Sequence, residues 1–595
     1  MRILAGWKRK RTEEIVAIQK QRPMQKNKTK MLEIQIQGMT CAHCEDKLKK
    51  ALETVHGVSE VCDVNWKNGT ACVNLEKAAD RGALVETIRA AGYQATILSP
   101  EPEDEMAAPS DAEESCCEPE ESKRFPKKSM KYDFDLLILG SGSAAFAATI
   151  KATELGKTVG LIEAQTVGGT CVNVGCVPSK TMIRAAESKH RIENTPFRGL
   201  QAGKTTVDYA KLVREKDSLV SHLREAKYAS IIKANPNITL IEGSAVFLSE
   251  HRVQVGDKEI SGDKILIATG SSSFVPNIPG LKEAGFLTST SALELHSLPE
   301  HIVVLGGGYI ALELSQMFAR LGSRVTVVQR SEILFTEDRD VSQLLENYLR
   351  SEGIDILNHT QVVSVVRNGK SLSIDISGRG ESRQVHADQI LVATGRKPNT
   401  RRLNLDLAGV TVTPSGAIKV NSYCQTTREN VYAAGDVLDS PALVYVAAYE
   451  GNLAAENAFQ GNMRRADYTA LPWVIFTDPQ ISGVGLNEAQ AKSSGIEYDL
   501  SILSFENVPR AIAARDTRGL IKLLRKTGTH ELIGARIVAP EGSELLMEFS
   551  MIIKYKIPLN EVAGMFHPYL TLSEAVKLAA QSFDKDVSKL SCCAA

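Results

Sequence analysis

One pattern occurs twice in this chain and limits the fold more than any other feature. The first copy, YDFDLLILGSGSAAFAATIKATELGKTVGLIE, runs from Tyr132 to Glu163. It reads as a buried strand, a glycine-rich turn at Gly140, Gly142 and Ala145, an amphipathic helix, and a second strand ending in an acid. Glycine at the first positions allows a tight turn and close approach of a pyrophosphate to the helix N-terminus, and the acid about twenty residues on suits a ribose hydroxyl. The second copy, HIVVLGGGYIALELSQMFARLGSRVTVVQR, places Gly306, Gly308 and Ala311 in the same roles. Its second strand ends in Gln329 and Arg330 instead of an acid. Losing the carboxylate and gaining a cation favours a 2′-phosphate, hence NADPH over NADH. The pattern predicts an α/β protein with two Rossmann-like nucleotide-binding domains.

A chain of 595 residues is too long for one core. Its formal net charge of −1 points to neither nucleic acid nor a membrane surface as partner. No uninterrupted apolar stretch reaches the length needed to cross a bilayer, and the basic residues 1–30 lack the apolar core and cleavage site of a secretory signal. The expectation is a cytoplasmic protein whose leader has no assigned role. Of the 11 cysteines, most fall in close pairs: Cys41/Cys44, Cys116/Cys117, Cys171/Cys176 and Cys592/Cys593. That distribution suits metal or redox chemistry better than a disulfide scaffold.

Residues 31–98 alternate as strands around two helical stretches: LEIQIQ, then GMTCAHC, EDKLKKALETV, VSEVCDVNW, TACVNLE, LVETIRAAG and YQATIL. This predicts a small βαββαβ ferredoxin-like module. Cys41 and Cys44 lie where a loop enters a helix, a position that favours thiolates. Such a pair serves either as soft-metal ligands or as a thioredoxin-like redox couple. GMTCxxC opening the module resembles the heavy-metal-associated domain, which implies the metal reading. Cys62 and Cys72, on predicted strands, read as packing residues. Residues 99–130, acidic and rich in Pro, Ser and Glu, read as a disordered tether with a span of roughly 30 Å; Cys116 and Cys117 fall within it, without an assigned role.

Shortly after Glu163, from Val167, comes VGGTCVNVGCVPSK, with Cys171 and Cys176 five residues apart. This stretch, with ILIATGS, ILVATGRKPNT, NVYAAGDV and WVIFTDPQISGVGL, resembles the flavin disulfide reductases, the family of glutathione reductase and lipoamide dehydrogenase. The resemblance implies FAD held by Gly140, Gly142, Ala145, Glu163, Gly169, Thr170, Lys180, Thr269, Gly270 and Asp436, and NADPH held by Gly306, Gly308, Ala311 and Arg330. It implies a redox-active Cys171–Cys176 disulfide with Cys176 nearer the flavin, a Lys180–Glu313 pair beside it, and Tyr309 at the nicotinamide pocket. It implies a FAD domain from 131–280 and 399–470, an NADPH domain from 281–398, and an α+β dimerisation domain from 471–595, with active sites built from both subunits of a homodimer.

Disulfide-reducing members carry a catalytic histidine before a T-x-S-E element. Aligning Thr571–Glu574 puts Tyr569 in its place, and a phenol is a poor acid–base group at neutral pH. A two-residue shift would present His567 instead, so the register stays open. Tyr569, the tail pair Cys592–Cys593 and the tethered metal module together resemble the mercury(II)-reducing branch of the family, detoxifying enzymes. By that resemblance Hg(II) is the substrate and Tyr228 a second active-site tyrosine. The ion is received from thiols or a transporter, passes from Cys41 and Cys44 to Cys592 and Cys593, then to Cys171 and Cys176, and leaves as Hg(0). The alternatives are a thioredoxin reductase-like enzyme with a C-terminal dithiol, a reductase for another soft ion, and a metal-scavenging protein on a reductase scaffold.

Overall fold

The computed structural model describes residues 30–37, 42–55, 58–65, 70–75, 84, 87–89, 91, 93–97, 132–201 and 203–589. They fall into two compact units divided between Pro126 and Lys127. Cys41, Cys116, Cys117, Cys592 and Cys593 lie outside the described residues, and of Cys44 only the helical backbone is described.

The small unit is a four-stranded antiparallel sheet in the order Val58–Asn65, Thr70–Leu75, Lys30–Gln37, Gln94–Ile97. Period-two alternation places Leu32, Ile34 and Ile36, with Ala71 and Val73, on one face. That face packs against Leu48 and Leu52, one turn apart on the helix Ala42–Glu53, and against Leu84 and Ile88. Burying each such Leu or Ile stabilises the unit by about 1.5–3 kcal/mol. One expectation fails here. Cys62 is exposed and Cys72 only half-buried, so neither packs in the core. A β-bulge in the strand Val58–Asn65 shifts the alternation at Cys62.

In the large unit the first glycine-rich copy forms as read: strand Phe134–Leu139, helix Ser143–Glu154, strand Val159–Glu163. These strands lie parallel, flanked by Ile238–Glu242 on one side and by the end of Lys258–Ile267 on the other. The distant strand Val431–Ala433 completes the parallel layer. Near-continuous burial of these strands follows from helices covering the sheet. The second copy builds its own parallel sheet, in the order Asp355–Leu357, Arg324–Val328, His301–Leu305, Gln389–Val392. An antiparallel five-stranded sheet, Trp473–Ile475 through Leu532–Ala539, follows with the helices Leu546–Tyr555 and Glu574–Gln581 sharing its core. Among the described residues no helix is long and apolar enough to cross a membrane.

Candidate active site

The turn at Gly140 is glycine for a steric reason. Its φ is 108°, and a Cβ there would stand 2.4 Å from the carbonyl oxygen of Ala268. The helix Ser143–Glu154 that follows has Gly142 at its N-cap and no side chain capping it, so its first N–H groups are left for a ligand. Gly169 lies so close that a Cβ would sit 2.5 Å from the Cα of Gly142. At the strand's end Glu163 accepts from the buried Ser141 hydroxyl and, at 2.7 Å, from the Gln165 amide. Ser271 donates to Asp436 at 3.0 Å and accepts from Arg396 Nε at 2.8 Å, joining three segments remote in sequence. The next turn is fixed by Glu450, 0% exposed, which accepts from the Gly435 amide and the Tyr468 hydroxyl, each at 2.7 Å. Burial raises the pKa of the Glu450 carboxyl. An uncapped helix N-terminus, a cradle that a Cβ would fill and a carboxylate at the second strand's end fit a dinucleotide with its pyrophosphate on the helix.

The second copy is built the same way. Gly306 has φ 113°, and a Cβ there would lie 2.4 Å from the carbonyl oxygen of Ala393. A Cβ on Gly308 would meet nothing within 4 Å, and the helix Tyr309–Leu321 has no side-chain cap. Ala311 is buried beneath it. Tyr309 stacks on Trp473, with ring centroids 5.7 Å apart, and burial pushes its hydroxyl up to about 12. Arg330 is exposed at the strand's end, and just beyond it Arg339 and His359 each lie 3.9 Å from Glu332.

Cys171 lies in the short helix Gly169–Val174, and Cys176 is the first residue of the long helix Cys176–Glu193. Gly175 joins them because a Cβ there would press to 2.9 Å of the Thr170 carbonyl oxygen. Thr170 itself is exposed. The two cysteine side chains hydrogen-bond to each other. That bond and the Lys180 ammonium one turn on hold Cys176 down at about 7, against burial and the Glu313 carboxylate, which push it up. Cys171 is raised, first by the same hydrogen bond and then by burial. The pair therefore ionises at Cys176, with the Cys171 S–H donating.

Lys180 Nζ is 2.7 Å from Glu313 Oε2, and its ammonium sits 4.8 Å over the Phe476 ring. Glu313 Oε1 accepts the Phe476 amide at 2.9 Å. One buried carboxylate thus ties the dithiol helix, the second nucleotide helix and the C-terminal domain together. Tyr228 stands in a π-helical turn, Glu225–Ala229, with its ring edge-on to Phe146 at 4.6 Å. Burial, then the nearby Cys171, raises its pKa, while Ser143 hydrogen-bonds its hydroxyl. Thr269 and Asn399 exchange hydrogen bonds of 2.9 Å beside Gly270, whose φ is 66°.

The C-terminal residues are arranged differently. His567 Nε2 is 2.8 Å from Glu548, and its side chain is 6% exposed. Tyr569, by contrast, is 50% exposed, beside the fully exposed Phe566. Sequence reasoning missed Ser141, Ser271, Arg396, Glu450 and Phe476. Ser141, Ser271, Arg396 and Phe476 stand inside strings already singled out for their neighbours, the first glycine-rich turn, ILIATGS, ATGRKPNT and WVIFTDP, and nothing in the sequence marks Glu450.

Residues 134–451 match the pyridine nucleotide-disulphide oxidoreductase family, 471–580 its dimerisation domain and 33–94 the heavy-metal-associated domain. The chain is 44% identical to a mercuric reductase of Staphylococcus aureus over 94% of its own length and 98% of the relative's. It is 42% identical to one from Shigella flexneri over 95% and 100% of the two chains. A mercuric reductase of Streptomyces lividans, 44% identical, covers 78% of this chain and is itself matched over 98%. Among solved structures, the Cu(II) complex of the HOCl-induced flavoprotein disulfide reductase RclA from Escherichia coli aligns with a TM-score of 0.69 and 30% identity. It covers 77% of this chain and 100% of its own.

Proposed function

The chain belongs to the mercuric reductases, within the pyridine nucleotide-disulphide oxidoreductases, and on that premise we propose that it uses NADPH to reduce Hg(II) to Hg(0) for mercury detoxification. The observation that carries the reading is the hydrogen-bonded Cys171–Cys176 pair, with one thiol held at about 7 beside Lys180. At neutral pH such a pair offers one thiolate and one proton-bearing thiol.

FAD would be held by Gly140, Gly142, Ala145, Glu163, Gly169, Thr170, Lys180, Thr269, Gly270 and Asp436. NADPH would be held by Gly306, Gly308, Ala311 and Arg330. When bound, these cofactors supply two electrons at the dithiol, matching the two that separate Hg(II) from Hg(0). The chain's own part is ligand exchange. The Cys176 thiolate attacks a thiol-bound Hg(II), one carrier thiolate leaves, and Cys171 loses its proton as it displaces the second. Soft thiolates suit this soft ion. Lys180 and Glu313 set the charge around Cys176, and Gly175 lets the short helix bearing Cys171 pass closely into the long helix that begins at Cys176.

Tyr228, beside Cys171, would position the substrate. Tyr569 and the tail pair Cys592–Cys593 are assigned to the dithiol of the second subunit in a homodimer, and Cys41 and Cys44 to delivery. The half-exposed Tyr569, with His567 buried against Glu548, supports the register in which Tyr569 takes the place of the family's histidine. A cytoplasmic site, where NADPH and carrier thiols are available, follows from this chemistry.

The Cu(II) complex of the structural relative supports a second reading, reduction of another soft ion. NADPH oxidation by flavin-loaded protein, followed with thiol-buffered Hg(II), oxidised glutathione, lipoamide and Cu(II) in parallel, separates the two. Turnover with Hg(II), lost in Cys176→Ala, is expected. Turnover confined to a disulfide or to copper would overturn the reading.

A further inference from the structure

The small unit holds two thiols that neither the metal-binding motif nor the active site uses. Cys72 lies between buried Ala71 and Val73 on the strand Thr70–Leu75, so alternation turns it to the sheet face opposite the core. On the neighbouring strand Val61 pairs with Val73 and Asp63 with Cys72. Two steps on one strand thus answer one step on the other, and Cys62 is the extra residue. In such a bulge both residues of the longer strand oppose the single residue of the shorter one, here Cys62 and Asp63 opposite Cys72. The exposed Cys62 therefore sits across the ladder from the half-buried Cys72, ten residues away in sequence.

Directly opposed residues on antiparallel strands have Cβ atoms about 4.5–5.5 Å apart. A metal ion held linearly by two thiolates, at about 2.3 Å per metal–sulfur bond, spans just under 5 Å. With the two Cβ–Sγ bonds rising side by side from one face, the sulfurs stand about as far apart as the Cβ atoms, and the ion's span is met without movement of the backbone. Among the described residues the helical side chains Leu48, Leu52, Leu84 and Ile88 pack on the opposite, core face, and Cys62 is exposed, so an ion reaches the pair from the Cys62 side.

We infer that Cys62 and Cys72 form a second two-thiolate site for a soft metal ion, built across the bulge on the open face of the sheet and separate from Cys41 and Cys44. Loading is ligand exchange: Hg(II) leaves two small-molecule thiolates for the two protein sulfurs, and the two protein protons pass to the departing thiolates. No oxidant or reductant is needed. A cross-strand site is held by the sheet ladder, and its sulfurs come from two strands instead of one loop. It therefore offers a store that exchanges independently of the CxxC pair.

The test uses the full-length, reduced holoenzyme. Hg(II), buffered by excess glutathione, is added stepwise, and each cysteine's rate of alkylation is read by peptide mass spectrometry. Cys62 and Cys72 are expected to become protected together, over one range of Hg(II). Equal alkylation with and without Hg(II), or protection of only one of them, overturns the site. In a Cys41→Ser/Cys44→Ser background, Hg(II) retained after desalting is expected to fall by one ion per chain on adding either Cys62→Ser or Cys72→Ser. Retention unchanged by both substitutions overturns it as well. The alkylation arm needs no variant, so a misfolded substitution cannot decide the outcome.

Discussion

Cys176 owes its character to three neighbours with opposing effects, and that gives predictions of opposite sign. The Cys171 hydrogen bond and Lys180 lower its pKa, and Glu313 raises it. Thiolate content, and with it the rate of Hg(II) capture, should rise as pH increases through about 7 and then level off. Removing the cation in Lys180→Met should move that inflection upward by roughly one pH unit. Neutralising the carboxylate in Glu313→Gln should move it downward. Ultraviolet titration of the thiolate reads both, and shifts in the same direction would contradict the assignment. At this scale the sequence was informative because Cys171, Gly175, Cys176 and Lys180 fall within ten residues and act through local helix geometry. The Ser271–Arg396–Asp436 cluster was not legible, since it joins residues 125 and 165 apart. Glu450 was hidden for a similar reason: its partners are the Gly435 amide and Tyr468, and a lone Glu in an apolar helix looks like an exposed one.

At the level of elements, close backbone packing makes the nucleotide cradle. Gly451, in the helix Val444–Gln460, lies so near the helix Ser143–Glu154 that a Cβ would stand 2.0 Å from the Ala144 carbonyl oxygen. Gly451→Ala must push these helices apart, at a cost of about 1–3 kcal/mol. The purified variant should carry less flavin per chain, read from its visible absorbance against protein content. A fully loaded variant would mean that the contact is slack. Both glycine-rich turns could be read from sequence because strand, turn and helix follow one another directly and each glycine meets a local steric demand. The helix–helix contact at Gly451 could not, because glycine inside a helix looks only like weak propensity. The same limit explains Cys62. Strict alternation gives the wrong face wherever a bulge adds a residue, and a bulge depends on the partner strand.

Across the large unit, buried ion pairs fasten the nucleotide domain to the C-terminal sheet. Lys522, 0% exposed, reaches Asp338 at 3.1 Å, Asp340 at 2.8 Å and Glu488 at 2.6 Å. Arg536 meets Glu337 at 2.7 Å nearby. Removing one partner of such a cluster strands the rest, so Lys522→Met should cost about 3–5 kcal/mol in chemical denaturation. The Lys522 hydrogen bond holds Glu488 down at about 2. A carboxyl lowered on folding contributes stability above its unfolded value, and that contribution is lost as pH falls towards about 2. Acid unfolding of the native chain should therefore include this loss, and Lys522→Met should flatten it.

The helix Leu546–Tyr555 exposes Met547, Met551 and Tyr555 at four-residue spacing, close in sequence to exposed Met565 and Phe566. That stripe lies within the residues that match the dimerisation domain. Met551→Glu should weaken self-association in sedimentation and lower turnover with it, because the proposed active site draws on both subunits.

In the proposed reaction two electrons from each NADPH end on mercury. It is tested most directly by trapping volatile Hg(0) from sealed, anaerobic turnover of the flavin-loaded enzyme with thiol-buffered Hg(II) and comparing it with NADPH consumed. One Hg(0) released per NADPH oxidised is expected, with none from Cys171→Ser or Cys176→Ser. NADPH consumption without volatile mercury, or turnover only when a disulfide is supplied, would contradict it.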